Sequence, residues 1–259
     1  MNWREEYRNA LLNTSTNPLD MRKLVKPHMP DNLYKYGSFD SQYWENIIYK
    51  AQIYLAPAKS FNDPFDCRAN FDYKKAVSTG KFRDELIKKF GKRDVETLPE
   101  PMIEKIIEGM REDVFVSCFS EVWDSILMWA HYANNYNGYC IEYDMSKVRD
   151  YIIYNLYPVI YEKNYIDITN YLINLNNNVG LICNTVKAEE WNYEKEWRII
   201  EYVKRSFYLK KAVKAIYLGK NCSKDIRKEI LQWARDNKRE VYFVQASNTQ
   251  YKLEANREI

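Results

Sequence analysis

The segment that organises the chain is Lys187-Ala188-Glu189-Glu190-Trp191-Asn192-Tyr193-Glu194-Lys195-Glu196-Trp197-Arg198, which runs directly into the apolar pair Ile199-Ile200. Side chains of a β-strand alternate between its two faces. If residues 196–203 form a strand, Glu196 and Arg198 project to one face and Trp197 and Ile199 to the other. Glu194 then points the same way as Glu196. The pattern predicts a strand that begins with two carboxylates and a guanidinium on one face.

Further segments of strand length lie on both sides of this one. They cover residues 33–36, 52–55, 113–119, 139–143, 157–161, 213–218 and 241–246. Apolar residues at helical spacing occur between them, including a helix that we expect to begin at Glu121 and a strand–helix–strand unit over 213–246. The fold class predicted is α+β, with a mixed, mostly antiparallel sheet, flanking helices and a helical insertion.

Turn residues suggest how the chain is divided. A short helical pattern near the start is broken by Thr14-Ser15-Thr16-Asn17-Pro18, and a second turn follows at 29–32. We therefore expect a helical arm over residues 1–30 and a single α+β domain over 31–259. Residues 74–111 are charged, helical in pattern and split by two prolines, which predicts a helical insertion in that domain.

Composition limits the function classes. A chain of 259 residues that is 46% hydrophobic can bury a substantial core, and a net charge of +3 does not demand a nucleic-acid partner, although nucleic acid as a substrate stays possible. We find no apolar run of 18 residues and no signal-peptide pattern, so we expect a cytoplasmic protein without a membrane partner. Five scattered cysteines and two histidines predict reduced thiols and no metal site.

Familiar catalytic motifs are missing from the sequence. It contains no glycine-rich phosphate loop, no G-x-S-x-G elbow and no H-E-x-x-H helix. These absences weaken the interpretations as a nucleotide triphosphatase, a serine hydrolase or a zinc protease.

The Glu194-Lys195-Glu196 pair is the strongest chemical signal. Two neighbouring carboxylates repel, which raises one pKa and suits acid–base work or the stabilisation of a developing cation. The alternative is that Arg198 and Lys195 neutralise a solvated strand edge. His131 has two interpretations as well, since a single helix histidine either packs or takes part in a site.

Four pieces of the chain resemble a bacterial family catalogued as domain of unknown function 2971. They are residues 33–36 (Leu-Tyr-Lys-Tyr), residues 61–66 (Phe-Asn-Asp-Pro-Phe-Asp), residues 116–141 with Cys-Phe-Ser-Glu and Met-Trp-Ala-His-Tyr-Ala, and residues 191–198 (Trp-Asn-Tyr-Glu-Lys-Glu-Trp-Arg). The resemblance covers roughly residues 33–220. Where that family usually has an arginine after Lys-Tyr, this chain has Gly37.

The order of polar residues also resembles the layout of ADP-ribosyltransferases. Those enzymes carry a basic residue on a first strand, a serine-containing strand under the nicotinamide and a later Glu-x-Glu. In this chain the corresponding residues are Lys35 beside Tyr36, then Ser117 and Ser120, then Glu194 and Glu196. Lysine stands where those enzymes more often have arginine or histidine.

This resemblance implies an enzyme that uses NAD as its substrate. Glu196 and Glu194 would be catalytic and would stabilise an oxocarbenium-like transition state. Lys35, Tyr36, Ser117, Ser120, His131 and Arg198 would bind NAD. The implied acceptor is a macromolecule, protein or nucleic acid, and a bacterial toxin or phage-defence effector would have a cognate antitoxin or defence partner.

Two alternatives come from other classes of protein. A Mg²⁺-dependent nuclease in phage defence would hold its metal with Glu194, Glu196 and either Asp63 or Asp66. A non-enzymatic binding module would use its aromatic surface and the strand–helix–strand unit to hold a partner.

Overall fold

The computed structural model describes residues 2–176 and 178–259 and is built around one large sheet. The strands are β1 (Asn32–Ser38), β2 (Gln52–Tyr54), β3 (Ala56–Pro57), β4 (Phe115–Ser120), β5 (Gly138–Asp144), β6 (Leu156–Pro158), β7 (Ile160–Glu162), β8 (Val186–Ala188), β9 (Glu196–Glu201), β10 (Ser206–Tyr208), β11 (Val213–Leu218), β12 (Glu240–Ala246) and β13 (Leu253–Arg257). The large sheet has the order β13-β12-β11-β5-β1-β4-β9-β6, with β3 paired to β4. Two separate pairs, β10 with β2 and β7 with β8, complete the β structure described.

Helices surround this sheet. The α-helices are α1 (Trp3–Leu11), α2 (Pro18–Val25), α3 (Trp44–Tyr49), α4 (Tyr73–Ser78), α5 (Gly80–Phe90), α6 (Lys92–Thr97), α7 (Glu100–Glu112), α8 (Ile126–Tyr132), α9 (Asp150–Ile153), α10 (Thr169–Ile173), α11 (Val179–Thr185) and α12 (Lys224–Asn237). Short 3₁₀ helices cover Lys26–His28, Ala58–Ser60, Met145–Lys147 and Glu189–Glu194. The predicted α+β class is confirmed. No helix within the described ranges has both the length and the apolar character that crossing a bilayer requires.

The large sheet is antiparallel except at one pair. Strands β11 and β12 run parallel and are joined by α12, so the predicted strand–helix–strand unit is present. Ser223 caps the N-terminus of α12, since its side chain accepts a hydrogen bond from the backbone N–H of Ile226 at 3.3 Å. Ile230 and Ala234 lie one turn apart on α12 and are fully buried. A parallel pair needs such a crossover, and the amphipathic helix supplies it.

The pairing of β4 with β9 assigns side chains to the two faces of the sheet. Cys118 lies opposite Arg198 and Ser120 lies opposite Glu196, so these four residues share one face, which we call the site face. On the opposite face, Phe119 and Trp197 belong to the main hydrophobic core. One face of the sheet therefore supplies stability and the other carries polar groups.

Helix α8 begins later than the sequence predicts. We expected it to start at Glu121, but its first residue is Ile126, and Ser125 caps it by accepting a hydrogen bond from the N–H of Met128 at 3.3 Å. The intervening backbone is engaged elsewhere: Glu121 N–H donates to the Lys195 carbonyl at 3.1 Å, and Val122 N–H donates to Ser120 Oγ at 3.1 Å. These contacts leave residues 121–125 as a non-helical connection across the site face.

The segments at 1–30 and 74–111 both pack onto the sheet domain. Tyr7 and Leu11 of α1 and Met21 of α2 are fully buried in the main core. Helices α4 to α7 span residues 73–112, and α4 and α5 pack against α10. Phe82 and Leu86 are among the buried residues of α5. Both segments thus contribute to the hydrophobic core.

Candidate functional site

Five charged side chains form a buried group on the site face, which we call the charged cluster. It consists of Asp66, Lys187, Glu194, Glu196 and Arg198, and each of these residues is at most 7% exposed. Asp66 comes from the loop before α4, Lys187 from β8, Glu194 from the end of the 3₁₀ helix, and Glu196 and Arg198 from β9. Burying charge costs free energy unless each charge is paired, so the contacts within the cluster decide its properties.

Arg198 is paired on both sides of its guanidinium. Its Nε and Nη2 donate to Glu196 Oε1 at 2.8 Å and Oε2 at 3.0 Å. Its Nη1 and Nη2 donate to Asp66 Oδ1 at 2.9 Å and Oδ2 at 2.7 Å, and Nη1 also donates to the Asn184 carbonyl at 3.0 Å. Two bidentate pairs orient both carboxylates rigidly. The expected placement of Glu196 and Arg198 on one face is present.

Lys187 holds the other end of the cluster. Its ammonium lies 2.5 Å from Glu194 Oε2, 3.2 Å from Glu196 Oε2 and 3.7 Å from Asp66 Oδ2, and it faces the Trp191 ring at 4.9 Å. Lys187 was not among the site residues that the sequence predicts. The sequence places Lys187 between the apolar residues Val186 and Ala188. A lysine in an apolar stretch that becomes buried needs a negatively charged partner, and this is the one signal that could have indicated its role.

The two glutamates have opposite pKa shifts. Burial raises the pKa of Glu196, but the charges of Arg198 and Lys187 outweigh burial and lower this pKa to about 2. Burial raises the pKa of Glu194 above its ordinary value, since the nearby Lys187 only partly offsets it. Tyr132 donates a hydrogen bond to Glu194 Oε1 at 2.6 Å. The interpretation as a solvated strand edge is wrong, because both carboxylates are buried.

Lys195, between the two glutamates, has a left-handed backbone. Its φ angle is 44°, a conformation that costs free energy for a residue with a side chain. Its own side chain is exposed, while its carbonyl accepts the hydrogen bond from Glu121 N–H. This turn ends the 3₁₀ helix and begins β9, and it lets both neighbouring carboxylates reach Lys187.

A cavity of about 190 Å³ lies on the charged cluster. Glu194, Glu196 and Lys187 border it, and so do Cys118 and Asp66. Most of the other large side chains on its wall are aromatic, among them Tyr34, Tyr36, Phe61 and Tyr132, and Lys35 borders it as well. A charged floor with an aromatic wall is suited to a planar ligand that carries or develops a positive charge.

Ser120 and Tyr36, both predicted site residues, border this cavity and shape it. Ser120 Oγ donates to the Glu194 carbonyl at 2.7 Å and accepts from Val122 N–H. The Tyr36 hydroxyl donates to the Val122 carbonyl at 2.9 Å. These hydrogen bonds connect β1, β4 and the 3₁₀ helix, so the two side chains position Glu194 and the cavity wall.

Three other predicted residues lie outside the charged cluster. Lys35 donates to Ser117 Oγ at 2.9 Å and to the Cys118 carbonyl at 3.0 Å, and burial lowers its pKa. Ser117 alternates with Cys118 and Ser120 along β4, so its side chain lies on the face opposite the cluster. His131 is exposed, and its ring contacts the Trp191 ring with centroids 6.1 Å apart. The structure therefore separates Ser117 and His131 from the carboxylate pair, whereas Lys35, although its ammonium is bound to Ser117 and to the Cys118 carbonyl, borders the same cavity as Glu194 and Glu196.

A second, larger cavity of about 710 Å³ adjoins the first. Both cavities are bordered by Asn62, Asp63 and Lys187. The larger one is enclosed by the loop at 62–68, by the segment after β7 and by the end of β8 with the 3₁₀ helix that follows. The two cavities are therefore neighbours that share three wall residues, and we call them together the recess; the charged cluster borders the smaller one.

The carboxylates of this recess do not fit a Mg²⁺ site. Glu196 and Asp66 are each bound by Arg198, and the Lys187 ammonium lies between Glu194 and Glu196. Asp63 Oδ1 accepts a hydrogen bond from Phe65 N–H at 2.8 Å. Among residues 2–176 and 178–259, no group of three or more His, Cys, Asp or Glu side chains is arranged to hold a metal ion. The cations of the cluster already neutralise the donors that a nuclease would need.

Fold and site together define an α+β protein with a buried carboxylate pair at the floor of an aromatic cavity. Residues 128–199 match the model of a family described as a protein of unknown function (DUF2971). This match confirms the resemblance to that family, and it includes Lys187, Glu194, Glu196 and Arg198. Comparison with curated proteins gave no match, and neither did comparison with solved structures.

Gly37, which follows Lys35 and Tyr36 on β1, has no room for a side chain unless Tyr139 moves. A Cβ atom built on Gly37 would lie 2.4 Å from Cζ of Tyr139 on β5. Tyr139 is 1% exposed and occupies the space beside this position. The cationic partner of the carboxylates in this chain is Arg198, together with Lys187.

Proposed function

We propose that this protein is an enzyme of the ADP-ribosyltransferase type, which cleaves the bond between nicotinamide and ribose in NAD. The observation that carries the proposal is the carboxylate pair Glu194 and Glu196, with opposite pKa shifts, at the floor of a cavity walled by aromatic rings. Carboxylates whose environments separate their pKa values are the usual basis for dividing acid–base and electrostatic roles.

Each carboxylate has a role in the proposed reaction. When the glycosidic bond breaks, its electron pair goes to the nicotinamide nitrogen and positive charge develops on the ribose. Glu196, held ionised by Arg198, stabilises that charge. An acceptor nucleophile then bonds to the ribose carbon and releases its proton to Glu194, whose raised pKa suits it to receive one. Tyr34, Tyr36 and Phe61 would pack against the nicotinamide ring.

The experiment is to incubate the purified protein with NAD and to follow nicotinamide release by proton NMR, with bacterial lysate, tRNA or DNA as candidate acceptors. We expect release by the wild type and at least about a hundredfold slower release by Glu194→Gln and by Glu196→Gln. Glu189→Gln is the matched control, since Glu189 lies on the same 3₁₀ helix with its side chain 52% exposed and should leave the rate unchanged.

Folding of the variants must be checked by thermal unfolding, because Glu196→Gln removes a charge that Arg198 binds. Glu194→Gln is the milder change, since Glu194 accepts single hydrogen bonds from Tyr132 and Lys187 and takes no part in the bidentate pairs of Arg198. Wild-type protein that releases no nicotinamide with any acceptor, or folded Glu194→Gln protein with the full rate, would contradict the proposal.

A further inference from the structure

The larger cavity has features that the chemistry at Glu194 and Glu196 does not use. Its walls carry three aromatic side chains from three separate segments: Phe65 from the loop at 62–68, Tyr165 after β7 and Trp191 after β8. Phe65 is 62% exposed and Tyr165 is 47% exposed. Large exposed rings that surround a recess favour the binding of a flat ligand.

Polar groups accompany these rings in a particular combination. The Arg68 guanidinium, on an exposed residue, supplies a cation for phosphate oxygens. The side-chain amides of Asn62 and Asn164 can donate to and accept from the edge of a heteroaromatic ring. Glu190 provides a carboxylate of the kind that accepts hydrogen bonds from a ribose diol. Among the residues that border this cavity there is thus a group suited to a ring, a group suited to a sugar and a group suited to a phosphate.

The two cavities also differ in volume. Pockets that bury a drug-sized ligand usually have volumes of about 300–1,000 Å³, a range that includes the larger cavity at about 710 Å³ but not the smaller at about 190 Å³. A dinucleotide cannot fit in the smaller cavity alone. Both cavities are bordered by Asn62, Asp63 and Lys187, so a dinucleotide with its nicotinamide end on the charged cluster would place its other end toward the larger space.

We propose that the larger cavity binds a purine nucleotide, with its base on Phe65, Tyr165 and Trp191 and its phosphate on Arg68. This inference rests on the proposed function for the nature of the ligand and extends it by naming where the adenosine portion of the substrate binds. The base of a single-stranded nucleic acid would present the same ring and phosphate chemistry, and the test distinguishes the two sources.

The test is to titrate the purified full chain with AMP and to measure its Kd by calorimetry. Phe65→Ala and Tyr165→Ala should each weaken AMP binding by about tenfold, the effect expected when one ring that stacks on a base is lost. Both side chains are largely exposed, so both variants should fold. Tyr208→Ala is the matched control: Tyr208 is 63% exposed on β10, away from both cavities, and AMP binding should not change.

A competing oligonucleotide distinguishes the two sources. If single-stranded oligo(dA) displaces AMP at a nucleotide concentration much lower than the AMP concentration, the natural ligand is a nucleic acid. If it does not, the natural ligand is a free nucleotide. No AMP binding by the wild type, or equal binding by wild type, Phe65→Ala and Tyr165→Ala, would overturn the inference. AMP binding that depends on Phe65 without any nicotinamide release would uphold this inference while the proposed function fails.

Discussion

At the scale of single residues, Arg198 holds the charged cluster together. It is fully buried and bridges two carboxylates that come from positions 130 residues apart in the chain, Asp66 and Glu196. A buried ion pair contributes little net stability compared with apolar packing, but removing one partner leaves the other charge buried and unpaired. The consequence of losing Arg198 is therefore larger than the contribution of any one of its hydrogen bonds.

We predict that Arg198→Met lowers the free energy of unfolding by about 3–5 kcal/mol, because Glu196 and Asp66 would lose their bidentate partner and keep only the more distant Lys187 ammonium. Urea unfolding monitored by circular dichroism measures this difference. Arg257→Met is the control: Arg257 pairs with Glu240 at 2.9 Å, but its side chain is 60% exposed, so the expected loss is below about 1 kcal/mol. Equal losses in the two variants would contradict the prediction.

Glu196 makes stability depend on pH in the acid range. Its pKa is lowered from 4.5 in an unfolded chain to about 2 in the folded protein. The unfolded state therefore binds the proton first as pH falls, and the stabilisation present above pH 4.5 is lost between about pH 4.5 and 2. A shift of this size corresponds to about 3 kcal/mol. Glu194, with its raised pKa, acts in the opposite sense: its contribution is greatest at low pH and declines as pH rises.

The expected outcome is that the wild type loses about 3 kcal/mol more unfolding free energy than Glu196→Gln does when pH falls from 4.5 to 2. Urea unfolding of both proteins at several pH values in this range gives the comparison. The difference between the two proteins removes the contribution of carboxyls that do not interact with Glu196, but not that of Glu194, whose pKa the charge of Glu196 helps to raise. Parallel curves for the two proteins would show that Glu196 is not held ionised by Arg198.

At the scale of elements, α1 and α2 are part of the packed domain. Beyond their buried apolar residues, Arg4 of α1 forms an ion pair with Glu121, and Glu121 Oε1 accepts a hydrogen bond from Trp197 Nε1 at 2.7 Å. Arg8 of α1 pairs with Glu162 at the wall of the larger cavity. Helix α1 is therefore bound to Glu121, which accepts a hydrogen bond from Trp197 of β9, and to Glu162, which borders the larger cavity.

We predict that Leu11→Ala lowers the free energy of unfolding by about 2–5 kcal/mol, because Leu11 is fully buried in the main core and the change leaves a cavity. Leu19→Ala in α2 is the control, since Leu19 is 51% exposed and should alter stability by less than about 0.5 kcal/mol. Chemical denaturation of both variants measures the effect. A small loss in Leu11→Ala would mean that the segment at 1–30 is a detachable arm.

Element boundaries show where local sequence patterns are insufficient. Residues 157–161 were predicted as one strand, but the chain divides there: Tyr157 pairs with β9 as part of β6, whereas Ile160 pairs with β8 as part of β7. Between them, Val159 N–H donates to the Glu196 carbonyl at 2.9 Å. Which strand a backbone pairs with depends on neighbours distant in sequence, and a continuous apolar run carries no information about that choice.

At the scale of the whole molecule, the two faces of the large sheet have different roles: one forms the hydrophobic core and the other carries the candidate site. Its core face buries Trp197 and Phe119, while its site face carries the charged cluster under the two cavities. Each cavity is closed by loops that come from distant parts of the chain, the loop at 62–68 and the 3₁₀ helix Glu189–Glu194. A rigid sheet that positions groups supplied partly by loops is a common arrangement for binding sites.

The sequence alone determined the α+β class, the strand–helix–strand unit at 213–246 and the shared face of Glu196 and Arg198. These properties follow from local periodicity, because alternation along one strand is independent of the rest of the chain. It did not determine that Lys187 and Asp66 join the cluster, or that Ser117 lies on the opposite face of the sheet and binds Lys35. Those outcomes depend on which strands pair and which side chains become buried. Strand pairing brings together charges that are far apart in the sequence, and burial shifts their pKa values, so only the tertiary structure decided them.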